Sequence, residues 1–217
     1  MKLLARHFIA TFLLVFGTAN AQLTEDPLKA VIETKDAQNF WEAFDKMETS
    51  KTNPFTEYID KGSPGVQSFI KYRIINADSL YATVKKNKEQ YLQTRNTLKA
   101  INSIDKKLKS SYIALKYWYP EAKFQTVYFV YGRMTTGGNS SPDGISIGTE
   151  LFKNLDGVVA LIVHEMIHFQ QNNKGGNNLL KQAVTEGGAD FIGEFVSKKD
   201  PQYLKCHVQL YACLSAY

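Results

Sequence analysis

His164 and His168 stand four residues apart in the stretch VHEMIHF, with Glu165 directly after the first of them. On a helix that spacing puts both imidazoles on one face, while the residue following the first points about 100° away, beside that face. Two imidazoles so placed can bind Zn2+, and the neighbouring carboxylate can reach a water at the metal without becoming a ligand. The competing reading is a pair of core histidines satisfied by hydrogen bonds. It leaves unexplained why two of the chain's four histidines fall on one very apolar helix, where an unpaired polar group costs about 1–3 kcal/mol.

A third ligand has to come from another element. Glu186 follows 18 residues after His168, within NNLLKQAVTEGGADFIGEFVSK, and Asp190 lies one turn further on the same face. Glu186 is the natural third ligand. Asp190 would then accept the remaining ring N–H of a liganding histidine, fixing its tautomer. Gly187 and Gly188 cost about 1 kcal/mol each in a helix interior, which predicts a close approach to the first helix there. Otherwise Glu186 and Asp190 are an ordinary exposed pair beside a helix break.

The elements that must hold these residues are legible in outline. Asp156-Gly157 opens the histidine helix, expected to run to Gly175-Gly176. Phe40, Trp41, Phe44 and Met47 fall at helical spacing in DAQNFWEAFDKM, and Ser63-Pro64 caps a helix reaching about Ile75. The Lys- and Leu-rich stretch from Asp78 to Trp118 reads as two helices broken near Asn102-Ser103. FQTVYFVY, from Phe124 to Tyr131, is a strand that returns through a long turn-rich tip to a second strand, Ile145–Gly148. The fold class is α+β: mostly helical, with a small antiparallel hairpin packed on the pair of helices carrying the site.

The chain has 217 residues and opens MKLLARHFIATFLLVFGTANAQ, a basic start, an apolar run and the small-residue site Ala19-Asn20-Ala21. That pattern predicts a signal peptide over residues 1–21, cleaved after Ala21, and an exported protein, periplasmic or secreted. Residues 22–217 suit one domain. No later segment reaches the roughly 18 uncharged residues of a transmembrane helix. Loss of Lys2 and Arg6 leaves a net charge of +3, too mild for a nucleic-acid partner. Cys206 and Cys213 would sit about 10 Å apart on a single helix, beyond disulfide reach, so their state turns on a bend between them.

The two segments VHEMIHFQQ and TEGGADFIGE resemble the gluzincin metallopeptidases. More narrowly, they are similar to Zn-dependent proteases of the bacterial envelope related to the gliding-motility lipoprotein group, with NFWEAFDKM, GSPGVQSFIKYRI and YWYPEAKFQTVYFVYGRMTTGGNSSPDGISIGTELF adding to the likeness. The resemblance spans roughly residues 39–199. It implies one gluzincin-like metallopeptidase domain, zinc on His164, His168 and Glu186, and Glu165 as the base, without fixing a substrate or an oligomeric state. Gly132-Arg133-Met134-Thr135-Thr136 departs from the Gly-x-Met-x-Asn segment of gluzincin aminopeptidases, which argues against amine-terminal trimming. Only 31 residues follow Glu186, fewer than the family's continuation.

The expected activity is hydrolysis of a peptide or protein substrate by a zinc-activated water. The substrate strand would add to the hairpin edge near Val127 to Tyr131. Tyr203, His207 and Tyr211 are the candidate oxyanion donors. Two alternatives stand beside this: a non-catalytic, zinc-stabilised envelope protein that binds a partner, and an inactive fragment truncated at its C-terminus.

Overall fold

The computed structural model describes residues 23–171 and 178–197. Residues 1–21, Gly175-Gly176, Cys206, Cys213 and the tail residues Tyr203, His207 and Tyr211 lie outside this range. About 62% of the described residues are helical, so the class is α+β with the sheet as the smaller part.

Among the described residues six α-helices precede the main strands: α1 (Lys35–Asp45), α2 (Phe55–Asp60), α3 (Pro64–Phe69), α4 (Ala77–Lys86), α5 (Lys88–Thr94) and α6 (Thr97–Trp118). The expected break at Asn102-Ser103 is absent. Ile101, Ile104 and Leu108 carry the buried stripe of α6 through it, and the polar pair sits on the solvent side. The chain breaks instead at Asn87, which caps α4, and before Thr97. Ser63 accepts a hydrogen bond from the Gly65 N–H at 3.0 Å and so starts α3, which passes into a π-helical turn, Ile70–Ile74.

The sheet has four strands, β1 (Ile32–Glu33), β2 (Val127–Val130), β3 (Gly138–Ser141) and β4 (Gly144–Gly148), in the order β1-β2-β4-β3. This corrects the expected antiparallel hairpin. β2 and β4 are parallel neighbours, Val127 opposite Ile145 and Val130 opposite Gly148. The tight hairpin joins β3 to β4 across Pro142-Asp143. Inserting β4 in the middle lets Ile145 and Ile147 be fully buried, as strands covered on both faces require. It also moves the free edge from β2 to β3.

An aromatic cluster fixes where β2 ends. Phe40 of α1 stacks on Tyr131 at 4.2 Å between centroids, and Trp41 Nε1 donates to the Tyr131 hydroxyl at 3.1 Å. Tyr58 and Tyr91 donate to the carbonyls of Tyr131 and Gly132 at 2.9 and 2.7 Å. The loop that leads to β3 is thus held at its root. Two further helices, α7 (Val158–Gln170) and α8 (Leu179–Ser197), end the described residues and pack against each other. They approach closely at Gly193, where an added Cβ would lie 2.9 Å from the Ala160 carbonyl and 3.3 Å from the His164 nitrogen. The close approach expected at Gly187 and Gly188 is not there among the described residues: Gly187 has no neighbour within 4 Å and Gly188 has only Gln171.

Candidate metal centre

α7 starts after Gly157, whose positive φ of 80° suits the residue that leads into the helix. Val158, Val159, Ile162, Val163 and Met166 bury it, leaving His164 and His168 on the side turned to α8. Their Nε2 atoms lie 3.0 Å apart. Glu186 Oε2 reaches across from α8 to 3.6 Å from one and 3.3 Å from the other.

The tautomers follow from what holds the other ring nitrogens. His164 Nδ1 lies 2.8 Å from Asp190 Oδ1, so it carries the proton and donates. The side chain of Gln171 donates its amide N–H to the Thr185 carbonyl at 2.9 Å, which turns its oxygen toward His168 Nδ1, also at 2.9 Å. His168 Nδ1 is therefore a donor too. Both Nε2 atoms and a carboxylate oxygen then converge on one point, three acceptors that repel one another unless a metal ion or a shared proton lies between them.

The geometry fits such an ion. Bonds of about 2.0–2.1 Å at tetrahedral angles put neighbouring ligand atoms about 3.3–3.4 Å apart, and the three separations here are 3.0, 3.3 and 3.6 Å. His164, His168 and Glu186 form a candidate metal-binding triad. The histidine side chains are 16% and 17% exposed, whereas Glu186 is 62% exposed, so the site opens toward solvent on the α8 side.

Glu165 takes a different environment. It is buried beneath β3, where a Cβ on Gly138 would collide with its carboxylate. Burial pushes its carboxyl up from the ordinary range, opposed by His164, His168 and Arg73. The strand thus presses directly on the acid at Gly138.

The structure thus brings together His164, Glu165, His168, Glu186 and Asp190. Sequence reasoning missed Gln171, although a polar residue three positions after His168 shares its face. It also missed Gly138 and Gly193, whose small size only the packing reveals. α7 ends at Gln170, short of the expected Gly175-Gly176, because Gln171 turns to extended backbone, ψ 122°, as it bridges His168 to α8. Comparison of the chain with family models, curated proteins and solved structures returns no match.

Proposed function

We propose that the protein is an exported zinc-dependent peptidase of gluzincin-like type, with α7 and α8 as a zincin-type helix pair. The observation that carries this reading is the convergence of three lone-pair atoms at tetrahedral-edge spacing, with both histidine tautomers set by Asp190 and Gln171. His164, His168 and Glu186 hold the ion. A zinc ion held there would lower the pKa of a bound water toward about 7 and polarise a carbonyl. Glu165 accepts the proton of the attacking water and passes it to the leaving amine.

The substrate strand lies along β3. β2 pairs with β4 along Val127–Val130 and with β1 at Val127 and Tyr128, and the Tyr58 hydroxyl takes up the Tyr131 N–H and carbonyl, so the expected docking edge at Val127 to Tyr131 gives way to Gly138–Ser141, whose outer side has no strand partner among the described residues. Pairing through backbone hydrogen bonds presents an extended peptide to Glu165 whatever its side chains. Replacing Glu165 by Gln should leave zinc bound and abolish hydrolysis of a peptide library. Persistent hydrolysis in that variant would rule out this role.

A second reading, a zinc-stabilised protein that works by binding a partner, is favoured by the outer face of α8. Leu180, Val184 and Phe191 are 75%, 67% and 70% exposed there among the described residues, a larger apolar stripe than solvent normally meets. A chain that holds zinc yet cleaves nothing in a proteome-derived peptide library would support it over the peptidase.

A further inference from the structure

Past Gly138, β3 runs into a groove of about 570 Å³ whose opposite wall is the π-helical turn Ile70–Ile74. Lys71 and Arg73 line it from the turn, Asn139 and Ser141 from the strand, and Asp143 from the hairpin. Asp143 is the sole acid in the lining, so the groove is net positive.

Arg73 is the unusual member. No carboxylate lies within salt-bridge distance of it among the described residues, and it acts at longer range on the buried Glu165 carboxyl. Its Nε is buried without a hydrogen-bond partner, and its guanidinium lies over the Phe69 ring at 5.4 Å. Buried donors in native proteins are nearly always satisfied, and a stacked guanidinium presents a rigid fork matched to a carboxylate.

The backbone that presents Arg73 is itself constrained. Its carbonyl accepts from the Arg133 N–H at 3.2 Å. Ile75, which ends the turn, has φ 70° and ψ −67°, an unfavourable conformation for a β-branched residue, and donates to the Ile70 carbonyl at 2.6 Å. π-turns and strained residues of this kind cluster at functional sites.

We infer that this groove is a subsite for an acidic side chain, Asp or Glu, of a peptide lying along β3, held by Arg73 with help from Lys71. The inference rests on the peptidase reading for the placement of the peptide. Gly138 adjoins Glu165, and the strand advances about 3.3 Å per residue. The acid therefore falls one to three residues from the bond presented to Glu165, opposite Asn139–Ser141.

The test reads binding apart from cleavage. Two labelled pools of random peptides, alike except for one fixed Glu or one fixed Gln, are titrated by fluorescence anisotropy against the full chain carrying Glu165→Gln with zinc added. The Glu pool should bind about tenfold more tightly at low salt, with the difference shrinking as ionic strength rises. Arg73→Gln should erase the preference, Lys71→Gln reduce it, and Arg73→Lys retain part of it. Equal affinity for the pools, including no binding of either, overturns the subsite, as does a preference that survives Arg73→Gln. Intact preference in binding without cleavage of either pool by the unsubstituted chain would sink the peptidase reading alone. Cleavage of both pools at equal rates, with equal binding, would sink the subsite alone.

Discussion

Asp190 Oδ1 lies 2.8 Å from His164 Nδ1, so a carboxylate on α8 decides which nitrogen of an α7 histidine is free to bind a metal. Losing such a partner typically weakens metal binding about 10- to 100-fold. Asp190→Ala should do so in a competition titration against a chelating dye. Its side chain is 73% exposed, so the melting temperature should barely move. Unchanged zinc affinity in that variant would mean the tautomer is fixed by something else.

The two kinds of glycine on α8 should respond to alanine with opposite signs. At Gly193 a methyl group meets the Ala160 carbonyl and His164, and overpacking of this sort costs about 1–3 kcal/mol. At Gly187 it meets nothing within 4 Å, and helix propensity then favours alanine by about 0.5–1 kcal/mol. Urea denaturation of Gly193→Ala and Gly187→Ala separates the cases. Destabilisation at both sites would place the helix contact elsewhere.

Gly138→Ala tests the seat of the base. The new methyl group displaces the Glu165 carboxylate without touching the ligands. Zinc content should stay at the unsubstituted level while hydrolysis falls at least about tenfold, the outcome of removing a positioned acid or base. A variant that loses both together would show that the strand supports the metal ligands instead.

What the sequence made legible is what depends on local spacing. The four-residue interval of His164 and His168, the turn from Glu186 to Asp190 and the Ser63-Pro64 cap are local facts, and helix geometry carries them into space. Strand order depends on which partner covers which face. FQTVYFVY and ISIG are adjacent apolar runs, and a hairpin is the default, but burial of both on two faces is better served by β4 entering between β2 and β3. Gly193 was hidden for a related reason. A glycine reads alike whether it faces a neighbouring helix or water, so the Gly187-Gly188 pair drew attention that belonged five residues further on. Arg73 lies 91 residues before His164 and joins the site only through the packing of the π-helical turn on β3.

Glu150 supplies a pH signature away from the metal. It is 4% exposed, its Oε1 accepts from the Met134 N–H at 3.2 Å, and its Oε2 has no partner. Burial pushes its carboxyl from 4.5 up to about 7. Between those values the folded chain keeps a proton that the unfolded chain releases. The group's stability is therefore fully present below about pH 4.5 and is lost as pH rises through about 7, by roughly 3 kcal/mol. Glu150→Gln should flatten the stability profile between pH 5 and 8 relative to the unsubstituted chain. Parallel profiles would show that Glu150 ionises normally.

The most direct measurement is zinc per chain by elemental analysis, on the unsubstituted protein and on Glu186→Ala, after reconstitution and removal of excess metal. Glu186 is mostly exposed, so the variant should keep its fold by circular dichroism. The expected result is about one zinc per chain, with affinity strongly reduced in the variant. No zinc on the unsubstituted chain, or equal zinc on both, would contradict a centre built from His164, His168 and Glu186.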